Sequence, residues 1–235
     1  MNAKETAGIR AAEYIDDGMV VGLGTGSTAD FAIRALGKRV ENGLTVKTIP
    51  TSIASEKLAR SLDIPLTNFK DHPVIDLTID GADEVDPQLN LIKGLGGALL
   101  REKIVASSTI RQIIIIDTSK QVKKLGIRSP LPIEVIPFSW PLAFKELTEH
   151  DLQPKLRQTK TGQMFKTDNG NLIIDCNFPD GINNPSETND WINKLPGVIE
   201  NGLFVELTDL VIIGQDNGDC QFQERPQGKC RGNET

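Results

Sequence analysis

The chain has 235 residues, of which 38% are hydrophobic and 25% are charged, and its formal net charge at pH 7 is −6. A chain of this kind folds into one large or two smaller globular domains, and no apolar run approaches the length that spans a bilayer. The acidic balance argues against a nucleic-acid binder, because neutralising phosphates requires clustered lysine and arginine. Three scattered cysteines do not indicate a metal site or a disulfide framework, although Cys220 and Cys230 are able to pair.

The N-terminal part is predicted to form a helix, a strand and a second helix joined by a glycine-rich turn. The segment MNAKETAGIRAAEYI lacks the apolar core of a secretory signal, so we expect a first helix and a cytoplasmic protein. After Gly18, MVVGLGTGSTADFAIRAL indicates a strand, a turn with Thr25, Gly26, Ser27 and Thr28, and a helix. N–H groups and hydroxyls at a helix N-terminus attract an anion, so the turn predicts a phosphate site. Close packing of strand against helix is the alternative reason for the glycines.

This turn does not match the common nucleotide-binding motifs. A dinucleotide fingerprint requires a third glycine where Ser27 stands, and the next predicted strand, 45–49, ends without a carboxylate for the ribose. The Gly-Lys-Ser/Thr of a P-loop is absent as well. We therefore expect the phosphate of a small metabolite. A helix over 52–62 follows, with Thr51-Ser52 at its start.

The densest group of polar residues lies in IDGADEVDPQLNLIKGLGGALLREK, from 79 to 103. A strand over 74–79 is predicted to deliver Asp80 and Asp83 onto a tight turn. A second apolar run, 89–92, then delivers Lys93 and a pliable GLGG segment. Acidic groups, a cation and glycines therefore follow one another closely along the chain.

The next segment, ALLREKIVASS, has the composition of a helix and carries a further acid. In helical geometry Glu102 shares one face with Ala98 and Val105, while Leu100 and Ile104 lie on the opposite face, so we expect burial on both sides. Burial raises the pKa of a carboxyl group and suits it to act as a general base. The alternative is that Glu102 reaches the helix rim and pairs with a neighbouring cation.

The remaining pattern predicts an α/β protein with a second, smaller domain. A strand over 113–116 ends in Asp117-Thr118-Ser119-Lys120, and strands alternating with helices favour a parallel sheet whose ligands lie beyond the carboxyl ends of the strands. Prolines become frequent near 130, after which residues 129–204 have the β-α-β-β-α-β order of a ferredoxin-like unit. Residues 1–128 and 205–235 form the first domain, with a last strand over 210–213 and a loose tail over 215–235.

The motifs GLGTGST, DGADEVD, IKGLGGALLREK and DTSKQV, with PLPIEVIPF and LPGVIENGLF after them, resemble the ribose-5-phosphate isomerase A family. The resemblance implies a Rossmann-like domain that carries a small α+β domain, in a homodimer or homotetramer. It also implies an aldose–ketose isomerase without a metal or other cofactor. The reaction that it implies interconverts ribose 5-phosphate and ribulose 5-phosphate, in the non-oxidative pentose phosphate pathway and in the Calvin cycle of a photosynthetic organism.

The same resemblance implies roles for individual residues. Glu102 falls on the base that transfers the proton, and Asp80, Asp83 and Lys93 fall on the other catalytic positions. The implied substrate contacts are Thr25, Gly26, Ser27, Thr28, Gly81, Ala82, Gly94, Leu95, Gly96 and Lys120. Leu95 stands where many members have another glycine, and a backbone contact survives this change if φ stays negative there.

Two other functions are compatible with parts of the sequence. The first is a Mg²⁺-dependent phosphatase, because Mg²⁺ prefers oxygen ligands such as the carboxylates of Asp80, Asp83, Glu84 and Asp86. Activity that is unchanged in EDTA would exclude this alternative. A sugar-phosphate-sensing binding domain is the second alternative. It would normally need a DNA-reading segment, and the chain contains no helix-turn-helix-like or basic stretch.

Overall fold

The structure is a computed structural model that describes residues 2–150 and 152–225. In chain order its elements are α1 (Ala3–Ala12), β1 (Val20–Leu23), α2 (Ala29–Glu41), β2 (Lys47–Pro50), α3 (Ile53–Ser61), β3 (Ile75–Gly81), β4 (Glu84–Val85), β5 (Leu91–Ile92), α4 (Leu99–Ser107), β6 (Thr109–Asp117), a 3₁₀ turn (Thr118–Lys120), β7 (Leu131–Val135), α5 (Trp140–Glu149), β8 (Gln153–Leu156), β9 (Leu172–Asn177), α6 (Pro185–Asn193), β10 (Val198–Asn201), β11 (Leu203–Phe204), β12 (Leu210–Gly214) and β13 (Cys220–Glu224). Within the described ranges, no helix is long and apolar enough to cross a membrane.

The described residues divide into two compact units. The first unit takes those within Met1–Ala82, Arg101–Gln121 and Glu206–Thr235, and the second unit takes those within Asp83–Leu100 and Val122–Val205. Residues 83–100 and 122–128 therefore lie in the second unit by their contacts, whereas the sequence prediction counts them with the first domain. The division into one domain of residues 1–128 with 205–235 and a second domain of residues 129–204 stays a prediction.

The first unit is built on a six-stranded sheet with the order β13-β12-β6-β3-β1-β2. Five of these strands run parallel to one another, namely β2, β1, β3, β6 and β12. At the edge of the sheet, β13 pairs antiparallel with β12. Residues Ile113 to Ile116 of β6 are all buried, as expected of a strand covered on both faces. The predicted α/β class with a mainly parallel sheet is confirmed.

Helices cover both faces of this sheet. Ala11 of α1 and Leu36 of α2 belong to one apolar cluster with Val21 of β1. Gly22 faces the other way, because side chains alternate along a strand, and a Cβ atom added there would lie 2.7 Å from Val105 of α4. Helix α4 therefore packs on the face opposite to α1 and α2.

Helix α4 is buried on one side only, so the predicted burial of both faces is wrong. Glu102 and Val105 are buried, while the Ile104 side chain is 46% exposed. The helix has a sheet beneath one face, and the apolar side chain on its outer face remains exposed. The predicted placement of Glu102 on the packed face is confirmed.

Part of the predicted loose tail forms strand β13 (Cys220–Glu224), so the prediction is wrong for these five residues. All five residues of β13 pair with β12, from Leu210 with Glu224 to Gly214 with Cys220. Pairing satisfies the backbone groups of β12, which would otherwise form a sheet edge. The rest of the predicted tail, with Cys230, lies outside the described residues.

The second unit contains a four-stranded antiparallel sheet with the order β10-β7-β9-β8. Its elements follow the predicted order β7-α5-β8-β9-α6-β10, and Ile133, Leu147 and Ile192 join strands and helices in one apolar cluster. A smaller sheet has the order β11-β5-β4. The sequence predicts one last strand for this small domain, over 198–204, but the structure divides it at Gly202 into β10 and β11. A Cβ atom on Gly202 would lie 2.3 Å from the Lys93 carbonyl oxygen.

Candidate active site

The first unit places Asp80 directly against the glycine-rich turn. Asp80 is 1% exposed, and its Oδ1 accepts hydrogen bonds from the N–H groups of Thr25 (3.0 Å) and Gly81 (2.8 Å). A Cβ atom on Gly24 would lie 2.2 Å from the same oxygen, so only glycine fits there. The turn after β1 and the carboxylate at the end of β3 thus form one hydrogen-bonded group. Ala82 follows them in the chain.

A set of hydroxyl groups supports this turn from β2 and α3. Thr25 Oγ1 lies 2.7 Å from Thr51 Oγ1 and 2.8 Å from Ser52 Oγ. Ser52 also caps α3, since its Oγ accepts the Ser55 N–H at 3.0 Å. The predicted role of Thr51-Ser52 at the helix start is confirmed, and both residues are buried.

The residues at the open end of the turn are accessible and lie next to a lysine. Gly26 has φ +101°, which favours glycine, and α2 begins just after Thr28. The ammonium group of Lys4 in α1 donates a hydrogen bond to Ser27 Oγ at 3.1 Å. Sequence reasoning missed Lys4, because no local motif distinguishes it from other lysines of a surface helix.

A second lysine approaches the same region through Asp117. Partial burial acts to raise the pKa of Asp117, but hydrogen bonds from Ser119 and the charges of Lys4 and Lys120 together hold it below its usual value. Lys4 and Lys120 therefore both lie near one carboxylate at the carboxyl end of β6. Of the two cations, Lys4 contacts Ser27 just before α2, and a cation beside a helix N-terminus is suited to an anion site.

The predicted base, Glu102, also belongs to the first unit. Its side chain is 5% exposed and lies on the face of α4 that carries Val105 against the sheet. The neighbouring Lys103 is buried too, at 9% exposure. A carboxylate in this position is largely removed from bulk water.

The second unit holds the other predicted catalytic residues around the glycine segment. Lys93 is 2% exposed, its N–H donates to the Gly202 carbonyl at 2.9 Å, and its Nζ lies 5.4 Å from the centre of the Phe204 ring. The Asp83 N–H donates to Ile92 O at 2.8 Å, and Asp83 Oδ2 accepts the Leu95 N–H at 3.0 Å. This carboxylate is thereby tied to the loop that follows Lys93.

The loop itself is a tight turn with Leu95 and Gly96 exposed at its tip. Gly94 has φ +102° and Gly97 has φ +82°, and the Gly97 N–H donates to the Gly94 carbonyl at 2.9 Å. Leu95 is not among the described non-glycine residues with positive φ. The condition for a leucine at this position, that φ is not positive, is therefore met.

Two carboxylates of the acidic cluster have structural partners. Glu84 accepts the N–H groups of Gly126, Arg128 and Ser129, and Asp86 accepts those of the turn that follows it. Among residues 2–150 and 152–225, no group of three or more His, Cys, Asp or Glu side chains is arranged to hold a metal ion. The geometry therefore does not favour the Mg²⁺ alternative.

Comparison with known proteins gives matches over most of the chain. The family model of ribose 5-phosphate isomerase A (phosphoriboisomerase A) matches residues 47–218. The ribose-5-phosphate isomerase A of Bacillus mycoides is 50% identical over 222 residues, which are 94% of this chain and 100% of the relative. The ribose 5-phosphate isomerase structure from Plasmodium falciparum has a TM-score of 0.92 at 38% identity, covering 95% of this chain and 98% of that one. A D-ribose-5-phosphate isomerase solved in complex with phospho-erythronic acid has a TM-score of 0.91 at 41% identity, covering 96% and 100%.

Proposed function

Because this chain belongs to the ribose 5-phosphate isomerase A family, we propose that it interconverts D-ribose 5-phosphate and D-ribulose 5-phosphate. The observation that carries the proposal is the hydrogen bond that joins the buried Asp80 carboxylate to the glycine-rich turn at Thr25. This bond supports the proposal, because a phosphorylated sugar requires an acid–base group close to the turn that holds its phosphate. The related structure with phospho-erythronic acid bound supports the same class of ligand.

The reaction moves a proton between C1 and C2 of the open-chain sugar through a cis-enediolate. We assign the carbon-bound proton to Glu102, whose burial suits a general base. Lys93 stabilises the oxygen that becomes negative in the enediolate. Asp80 and Asp83, three positions apart in the chain, transfer hydroxyl protons and assist opening of the furanose ring. These roles are supported by the family resemblance and, for Glu102, Lys93 and Asp80, by the burial of the side chain.

The phosphate group is assigned to the open end of the glycine-rich turn. Ser27 and Thr28 precede α2 and offer N–H and hydroxyl groups, and Lys120 and Lys4 supply positive charge. From the family resemblance, we assign backbone or side-chain contacts with the sugar phosphate to further residues: Thr25, Gly26, Gly81, Ala82, Gly94, Leu95 and Gly96.

Lys4→Ala should raise KM for ribose 5-phosphate by about tenfold or more and leave kcat nearly unchanged, because a charge-assisted phosphate contact binds ground state and transition state alike. Steady-state kinetics measure both constants. Lys57→Ala removes an exposed lysine from α3 and serves as the matched control, with wild-type values expected. An unchanged KM in Lys4→Ala would remove Lys4 from the phosphate site.

An isomerase assay with the purified chain tests the function itself. We expect ribulose 5-phosphate to form from ribose 5-phosphate, with the same rate before and after treatment with EDTA. A rate abolished by EDTA and restored by Mg²⁺ would favour the metal alternative. Binding of ribose 5-phosphate without turnover, measured by calorimetry, would instead identify a sugar-phosphate-sensing domain and would refute the proposal.

From the family resemblance alone, we also propose that the chain acts in the cytoplasm as a homodimer or homotetramer. Light scattering of the purified chain measures the assembly, and a monomeric mass at assay concentrations would contradict it.

A further inference from the structure

In the second unit, the Arg157 side chain donates hydrogen bonds to two backbone carbonyl groups of the loop Gly94–Gly97. The Arg157 Nη1 group donates to the carbonyl oxygens of Gly94 (2.9 Å) and Leu95 (3.0 Å). We propose that Arg157 is a positioning residue, which holds this loop in the conformation that contacts the substrate. The inference rests on the proposed function, since it is that function which assigns the loop to the substrate.

Arg157 is itself held in a fixed orientation. Its Nε donates to Asp175 Oδ2 at 2.8 Å, and its Nη2 pairs with Asp175 Oδ1. The side chain is 12% exposed, and its guanidinium carbon lies 5.7 Å from the centre of the Phe165 ring. Asp175 belongs to β9, in the middle of a sheet, so the ion pair anchors the guanidinium to a rigid element.

The hydrogen bonds orient two successive peptide groups of the loop. In a planar trans peptide the C=O and N–H bonds point in opposite directions. The peptide between Gly94 and Leu95 therefore spans from Arg157, at its carbonyl, to Asp83, which accepts its N–H at 3.0 Å. The next peptide also directs its carbonyl to Arg157, so the Gly96 N–H points away from the guanidinium.

Two further contacts limit the loop to this arrangement. A Cβ atom on Gly97 would lie 2.5 Å from the Phe165 ring, so the backbone passes close to the aromatic side chain. Lys93, at the other end, is bonded through its N–H to Gly202. The ends are thus fixed by packing and a backbone bond, whereas Arg157 holds the loop at the carbonyl groups of Gly94 and Leu95, next to the exposed tip.

The pattern of bonds requires the planar fork of an arginine. One edge of the guanidinium, Nε with Nη2, pairs with a carboxylate, and the remaining nitrogen reaches two carbonyl oxygens. A lysine ammonium is a single point of charge and cannot span both partners in this geometry. If positive charge alone were needed, lysine would serve equally well, which makes Arg157→Lys the informative variant.

The experiment compares Arg157→Met, Arg157→Lys and Asp175→Asn with the wild type. Because small displacements of a positioned group reduce rates strongly, we expect Arg157→Met to lower kcat/KM for ribose 5-phosphate by about 10- to 100-fold. Arg157→Lys should stay near Arg157→Met, since it restores charge without the two carbonyl bonds. Asp175→Asn should fall between Arg157→Met and the wild type, because the guanidinium keeps its loop contacts but loses its anchor.

Hydrogen–deuterium exchange provides a readout that does not depend on activity. The segment Lys93–Ala98 should exchange faster in Arg157→Met and Arg157→Lys than in the wild type, at a temperature well below unfolding. Ile192→Val, in the α6 core of the same unit, serves as the control for a general loss of stability. It should lower the unfolding temperature while keeping kcat/KM and the local exchange rate near wild type.

The outcomes separate this inference from the proposed function. If the wild type isomerises ribose 5-phosphate but Arg157→Lys matches it in kcat/KM and in local exchange, the positioning role is refuted and the proposed function stands. If the wild type has no isomerase activity, the proposed function fails. The exchange measurement then still decides whether Arg157 orders the loop. Where Arg157→Met does not fold, Arg157→Lys and Asp175→Asn carry the test.

Discussion

Glu102→Gln is expected to lower kcat for ribose 5-phosphate by about 10² to 10⁴, the range that a positioned general base contributes. The amide has nearly the shape of the carboxylate, so the buried face of α4 keeps its packing, but an amide does not accept the carbon-bound proton. Steady-state kinetics measure kcat and KM. The unfolding temperature shows whether the fold is retained.

Isotope exchange makes this test specific for proton transfer. A base that carries a proton through an enediolate exchanges part of it with solvent, so the wild type should incorporate deuterium into the sugar in D₂O, as seen by NMR. Glu102→Gln should lose this incorporation together with turnover. Glu146→Gln, an exposed residue of α5, is the matched control and should behave as the wild type. Retention of more than about a tenth of kcat in Glu102→Gln would contradict the assignment.

Lys93→Ala is expected to lower kcat by about 10² to 10³, comparable to removal of one oxyanion donor. The ammonium group is assigned to the oxygen that becomes negative only after proton abstraction, so its loss affects the transition state more than substrate binding. Lys93→Met is a useful second variant, because it keeps a long side chain at this 2% exposed position and removes only the charge.

The split between kcat and KM decides the role of this lysine. A rise in KM alone would make Lys93 a binding residue and would contradict stabilisation of the intermediate. Lys145→Ala, at an exposed lysine of α5 that pairs with Glu149, controls for loss of a positive charge in the same unit and should leave both constants unchanged.

Much of the architecture was predictable from local patterns. The apolar runs of β1, β3, β6 and β12 are short and separated by helical segments, which favours a parallel sheet. In such a sheet the carboxyl ends of strands meet at one edge, so Asp80 and the glycine-rich turn were expected to lie there together. The hydrogen bond from the Thr25 N–H to Asp80 bears out this expectation.

Other features could not be predicted because their signals were weak or not local. The strand Cys220–Glu224 is polar and half exposed, and its pairing with β12 is what makes it a strand. The exposed face of α4 carries Ile104, so its apolar character suggested burial that the fold does not provide. Glu84 and Asp86 resemble metal ligands in sequence, yet their carboxylates accept hydrogen bonds from backbone N–H groups of the second unit.

The sequence by itself determined the order of the elements, the α/β class and the chemical groups that stand at the strand ends, because these depend on neighbouring residues. Only the tertiary structure decided which distant groups meet. Ser27 bonds to Lys4 across 23 positions, and Arg157 bonds to Gly94 across 63. Such contacts form only when distant parts of the chain pack against each other. Helix and strand propensities depend on a few neighbouring residues and therefore do not determine them.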